Sequence, residues 1–149
     1  MDAARKRKLN LILAVLLVLT LVFIWGNSLL DREQSAEVSG DLMDLFSELF
    51  ETLGFNTADD HWLRETAHFG EFSVLGCELC LLFFLNMGSR LQSAANAAFA
   101  SLAAALMDES LQFMTGRAAE FQDVWLDFVG AGCGILLVWL ISRRKQNTK

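Results

Sequence analysis

Apolar residues along this chain gather into four blocks, at about residues 9–26, 65–85, 91–107 and 124–142, with polar stretches between them. Each block approaches the roughly 20 residues that a helix needs to cross a bilayer core. Lipid offers the backbone no hydrogen-bond partner, so segments of this kind are predicted to be helices. A second pattern lies between the first two blocks. In "SGDLMDLFSELFETLGF", Leu42, Leu45, Phe46, Leu49 and Leu53 recur at steps of three and four, while Asp41, Asp44, Glu48 and Glu51 fill the other side. That spacing predicts an amphipathic helix over about 41–53, capped at its start by Ser39 or Asp41 and ended by Gly54. Its acidic polar face disfavours anionic lipid, so it reads as a lid packed on the bundle or as a mobile substrate gate. The predicted fold is therefore all-α: a polytopic membrane protein formed by a four-transmembrane-helix bundle with an extracytoplasmic amphipathic helix, in a single domain over 1–149.

Composition sharpens this picture. Hydrophobic residues make up 54% of the 149 positions and Pro is absent, which excludes an ordinary soluble domain. The first block follows Arg5, Lys6, Arg7 and Lys8, as a secretory signal would. It is long for a signal core and ends at Trp25 without an A-x-A site, so it reads as a retained anchor. The other polar positions give the orientation. Nine of the 12 Lys and Arg (Arg5, Lys6, Arg7, Lys8, Arg90, Arg143, Arg144, Lys145 and Lys149) fall on one side of the predicted crossings. The positive-inside rule makes that side cytoplasmic and places both termini there. Asp2 is the only carboxylate on that side, so the net charge of −6 resolves into a basic inner face and an acidic outer one. The basic clusters are juxtamembrane anchors, and nothing in the sequence points to nucleic acid. Cys77, Cys80 and Cys133 all fall within predicted helices. "CELC" has C-x-x-C spacing, but with no soluble partner fold around it the three read as buried packing thiols.

Small residues predict how the helices meet. The short "NMGSR" link makes the second and third helices antiparallel neighbours. "SAANAAFASLAAAL" is almost entirely small, which lets backbones approach closely where lipid supplies no hydrophobic drive, so the third helix is expected at the centre of the bundle. Gly130, Ala131 and Gly134 give the fourth helix a similar face.

Polar groups collect at the predicted outer ends of all four helices. The first contributes Asn27 and Ser28. The second contributes Arg64, His68 and Glu71 on one stripe, which continues to Glu78 near the bilayer midplane. A carboxylate at that depth must be neutral, paired or facing a wet cavity. Depth alone offers Ser101 or Asn96 as hydrogen-bond partners for Glu78. The third helix contributes Asp108, Glu109 and Gln112. Arg117 lies in the turn that follows, and the fourth helix contributes Asp123 and Asp127. Groups from every helix at one depth predict a single pocket open to the outside. One reading is structural, with Arg64 and Arg117 pairing Glu71, Asp108 and Asp127 to lock the helices in register. Against it, Glu71, Asp108, Glu109, Asp123 and Asp127 outnumber two Arg and one His, and an excess of crowded carboxylates calls for a proton, a cation or a substrate.

These residues carry a resemblance. "HFGEF" at 68–72, "DESLQF" at 108–113, "GR" at 116–117 and "DVWLDFVGAGCG" at 123–134, with "FIWGNS" upstream, resemble the VanZ-like family of small bacterial membrane proteins in order and spacing from about Phe23 to Gly134. The chain departs from the family pattern at Phe72, where Tyr is frequent, at Leu111, where a polar residue is frequent, and in its long outer loop. The resemblance implies a location in the bacterial cytoplasmic membrane and a part in resistance to teicoplanin, an acylated glycopeptide. It implies action at the outer face on membrane lipid, a lipid-linked cell-wall precursor or the drug itself, and it brings no agreed reaction.

Three functional readings follow. In the first, the pocket is catalytic: Glu71 or His68 acts as general base, Asp108 or Glu109 as acid, and Arg64 and Arg117 hold an anionic group, with Asn27, Ser28, Gln112, Asp123 and Asp127 contacting substrate. A divalent cation is a candidate cofactor here, since Glu109, Asp123 and Asp127 offer Mg²⁺ or Ca²⁺ oxygen ligands. In the second, the pocket binds an acylated molecule without changing it. In the third, a transporter, four helices leave little room for alternating access, and only Gln92 and Asn96 extend polarity inward. Oligomeric state is not encoded in any recognisable pattern.

Overall fold

The computed structural model describes residues 2–29, 52, 60–87, 89–115 and 121–144, apart from the side chains of 60–64 and 144. Within these, four α-helices follow one another: α1 (Ala3–Leu29), α2 (Asp60–Met87), α3 (Arg90–Met114) and α4 (Phe121–Arg144). All are longer than their apolar blocks, because each gains polar turns that hydropathy does not register. The predicted amphipathic helix over 41–53 lies outside the described residues except for Thr52.

Three segments are long and apolar enough to cross a membrane: Ala3–Leu29, Glu65–Met87 and Phe121–Arg143. α3 has 25 residues, which at about 1.5 Å per residue is also a membrane-spanning length. Its Ala, Ser, Asn and Gln dilute its hydropathy.

The link between α2 and α3 is as short as its sequence predicts. Ser89 caps α3 in an extended conformation, its side chain accepting from the Gln92 N–H. The two helices therefore run antiparallel side by side. At the same end, Asn10 of α1 and Asn86 of α2 exchange amide hydrogen bonds at 3.0 and 3.3 Å. The Arg143 guanidinium sits 4.7 Å from the centre of the Trp139 ring.

The most extensive packing is between α2 and α4, and glycine makes it possible. A Cβ on Gly130 would lie 2.5 Å from the Phe69 carbonyl oxygen, and one on Gly76 or Gly134 would collide with the Ala131 or Ser73 carbonyl. At that separation side chains on one helix reach backbone on the other. The Ser73 hydroxyl lies 2.9 Å from the Gly130 carbonyl and 2.7 Å from that of Phe69, and the Cys77 thiol donates to the Gly134 carbonyl at 3.3 Å. α3 touches all three other helices, as its small residues predict, but α2 rather than α3 makes the larger share of contacts. The core between them is built from Phe72, Leu75, Leu79, Ala97, Ala105 and Ala131.

α1 docks more loosely. Only Leu13, Ile24 and Ser28 of its 27 residues are buried, and Leu11, Val18 and Val22 point outward. A helix that is apolar all round, with most of its surface facing away from the protein, suits a lipid environment.

Two expectations need correction. Glu78 hydrogen-bonds neither Ser101 nor Asn96. Thr20 of α1 donates to it at 3.2 Å, whereas Asn96 turns to the Met87 sulfur and the Ser101 hydroxyl has no hydrogen-bond partner among the described residues. Depth gave the right level but not the rotation of the helices. Of the thiols, Cys80 is buried and Cys77 partly so, but Cys133 is exposed, one position past the α4 face that packs on α2.

Candidate functional site

The polar groups meet at the end of the bundle where α1 and α3 finish and α4 begins. Asp108 on α3 is completely buried, as is Ser28 on α1. The Ser28 hydroxyl donates to Asp108 Oδ1 at 2.6 Å, a short charge-assisted bond, and lies 3.2 Å from its own helix carbonyl at Ile24. Gln112, one turn beyond Asp108 on the same face, donates its amide to Asp108 Oδ2 at 2.8 Å. Each oxygen of Asp108 thus has a donor, and the carboxylate is fixed in orientation. The Thr115 hydroxyl closes this end of α3, 2.9 Å from the Gln112 carbonyl and 3.3 Å from the Ser28 carbonyl of α1. Thr115 had no sequence signal beyond its place next to the turn.

Asp127 on α4 is the counterpart of Asp108 with the opposite environment. It is about as deeply buried, yet neither of its oxygens accepts a hydrogen bond among the described residues. It faces His68 on α2, with Nδ1 3.9 Å from Oδ1. That is beyond hydrogen-bond range but close for oppositely charged groups. Asp127 is also repelled by Asp108, Glu109, Asp123 and Glu71. An orphaned, repelled, buried carboxylate is a costly arrangement that packing alone does not explain. The glycine face from Gly130 to Gly134 continues from Asp127 along α4, so the close α2–α4 approach holds Asp127 against α2.

Ligand atoms of His68, Asp108 and Asp127 all lie within 4.8 Å of one another, one from each of three helices. This trio shares only Asp127 with the oxygen-only candidate set of Glu109, Asp123 and Asp127. Glu109 is buried, but it follows Asp108 by one position and so points about 100° away around α3. Asp123 is half-buried in the first turn of α4, a full turn from Asp127. Glu71 is half-buried one turn below His68, near enough to interact with Asp108, and its Oε2 has no hydrogen-bond partner among the described residues. Asn27 stands half-buried beside Ser28. Arg117 and the side chain of Arg64 lie outside the described residues. The structure therefore brings His68, Glu71, Asp108, Gln112, Ser28 and Asp127 together, with Glu109 and Asp123 close enough to act on Asp127 electrostatically.

Next to this cluster, α1, α2 and α3 line an open apolar crevice of about 360 Å³, whose residues include Leu17, Leu21, Leu75, Leu79 and Ala104. Trp25 and Met107 stand at its end nearest the cluster, and the Trp25 indole donates to the Ala104 carbonyl at 3.4 Å. Sequence reasoning assigned Trp25 no role.

Long apolar helices packed around a buried His–carboxylate cluster point to a multi-pass helical membrane protein with a polar site inside the bundle. The VanZ/LLP1 family model matches residues 11–142, and the chain belongs to that family. No curated protein and no solved structure matches it significantly.

Proposed function

We propose that this protein crosses the bacterial cytoplasmic membrane four times with both termini in the cytoplasm. We further propose that its buried polar cluster works at the outer face on a lipid-linked envelope component or an acylated glycopeptide, contributing to teicoplanin-type resistance. The asymmetry between Asp108 and Asp127 carries the catalytic form of this reading. Each Asp108 oxygen holds a donor, while Asp127 is buried beside a His with neither oxygen hydrogen-bonded among the described residues. A pair of carboxylates in such different surroundings is suited to divide acid/base work between them, and a network meant only for register would have satisfied both. Glu71, one turn from His68, is placed to act as general base. The scissile ester, amide, glycosidic or phosphate bond would lie where the cluster meets solvent, on the His68 side, whose side chain is 17% exposed.

The crevice supports a second reading, that of an acylated-lipid or drug binder without chemistry. Its volume lies within the range of small-molecule sites, and its lining accepts an acyl chain whose headgroup would rest at the cluster. Four crossings draw support from the length of α3 and from the basic residues at the α2–α3 link and at the ends of α1 and α4.

The test is teicoplanin susceptibility of cells producing the wild type, Asp127→Asn or His68→Ala at equal membrane levels. Both variants are expected to lose the protection. Full protection by both at wild-type abundance would refute a role for the cluster.

A further inference from the structure

We infer that His68, Asp108 and Asp127 form a binding site for one divalent transition-metal ion of the Zn²⁺ or Mn²⁺ class. The three side chains come from α2, α3 and α4, and their ligand atoms already lie within 4.8 Å of one another. Tetrahedral bonds of about 2.0–2.1 Å put neighbouring ligand atoms about 3.3 Å apart, so side-chain movements of about an ångström complete the site.

A second observation points to a ligand. Asp127 is 1% exposed, both its oxygens lack a hydrogen-bond partner among the described residues, and Oδ1 faces His68 Nδ1. Buried polar atoms require partners, and a cation bound to Asp127 supplies one where no donor among the described residues does. Charge agrees in sign: Asp108 and Asp127 lie among further carboxylates at Glu71, Glu109 and Asp123, and a dication offsets part of that crowding.

The donor set selects the ion. One imidazole nitrogen with two carboxylate oxygens suits borderline transition ions, while Mg²⁺ and Ca²⁺ prefer oxygen alone and soft ions prefer thiolate. Three protein ligands leave a position for water or a substrate oxygen, as in catalytic rather than structural sites. The Ser28 and Gln112 bonds to Asp108 then act as the supporting shell that orients a ligand. Glu71 stands beside the ion rather than on it.

The ion site is independent of which envelope molecule the protein meets, and its test reads metal rather than resistance. The full chain is purified in detergent, dialysed against metal-free buffer and analysed for metal by mass spectrometry. After chelation, melting is followed on adding Zn²⁺, Mn²⁺, Mg²⁺ or Ca²⁺. The expected result is about one transition ion per chain, and a Tm raised by Zn²⁺ or Mn²⁺ but not by Mg²⁺ or Ca²⁺. Asp127→Asn and His68→Ala should each lose the ion, and Ser28→Ala should bind it about 10–100-fold more weakly. The Cys77→Ser/Cys80→Ser double variant should keep it. The proposal is overturned by an ion-free protein that no transition ion stabilises, by stabilisation with Mg²⁺ or Ca²⁺ alone, or by an ion that survives Asp127→Asn and disappears with the cysteines.

Discussion

Changing Gly134 to Ala adds one methyl group at the tightest point of the α2–α4 contact. The new Cβ would overlap the Ser73 carbonyl oxygen and lie 2.9 Å from the Cys77 amide nitrogen and 3.0 Å from the Ser73 carbonyl carbon. All three are backbone atoms and cannot rotate away, so the helices must separate. Overpacking of this kind costs about 1–3 kcal/mol. Separation also lengthens the Ser73–Gly130 and Cys77–Gly134 hydrogen bonds, and interhelical bonds in membranes are worth about 0.6 kcal/mol each. Against this stands a gain of up to about 1 kcal/mol, since Ala is the better helix former. The net loss is therefore about 1–3 kcal/mol. Gly132 is the internal control: two residues away, its Cβ would meet nothing within 4 Å, so Gly132→Ala keeps only the propensity gain. Denaturant titration in mixed micelles, followed by Trp fluorescence, measures both. Equal stabilities for Gly132→Ala and Gly134→Ala would refute the close backbone approach. The same approach holds His68 against Asp127, so Gly134→Ala is also expected to weaken the proposed teicoplanin protection while Gly132→Ala leaves it intact.

Other expectations follow from individual contacts. Asp127→Asn removes a buried, repelled carboxylate; in metal-free buffer it should raise Tm by a few degrees, about 2–4 °C per kcal/mol for a domain of this size, while protection falls, and a lowered Tm would show that the carboxylate is structural. Ser28→Ala strips Asp108 of its 2.6 Å donor and should cost about 1–3 kcal/mol in the same denaturant assay, whereas Ser110→Ala, which loses only an exposed bond to its own helix, should stay within about 0.5 kcal/mol. Ala103→Phe should fill the crevice from its exposed wall and abolish retention of an acylated glycopeptide by the purified protein, with little change in far-UV circular dichroism; undiminished retention would place the acyl chain elsewhere.

Hydropathy located the helices because lipid-facing side chains such as Leu11 and Val22 must be apolar, but it missed their ends. α2 starts at Asp60 and α4 at Phe121, both before their apolar blocks, since a terminal turn in a polar layer carries no apolar signal. Ala-rich α3 reads weakly for a related reason, because its surface is spent on neighbouring helices rather than on lipid. In the site, the four-residue step from Asp108 to Gln112 was enough to put both on one face, and the structure joins them by a hydrogen bond. That Asp127 shares a pocket with His68 was legible from their common depth, but the approach of Nδ1 to Oδ1 depends on how α2 and α4 rotate about their glycine contact. The same gap misassigned the partner of Glu78. Periodicity orders residues around one helix, while the relative rotation of two helices is set by where their small residues allow contact.

Mass spectrometry of envelope lipids and cell-wall precursors, comparing cells that lack the protein with cells producing the wild type or Glu71→Gln, tests the central claim most directly. If the cluster is catalytic, a lipid-linked species is expected to change covalently only with the wild type, and its unmodified form to persist with Glu71→Gln. Identical profiles in all three, with teicoplanin protection intact in the variant, would contradict the catalytic account.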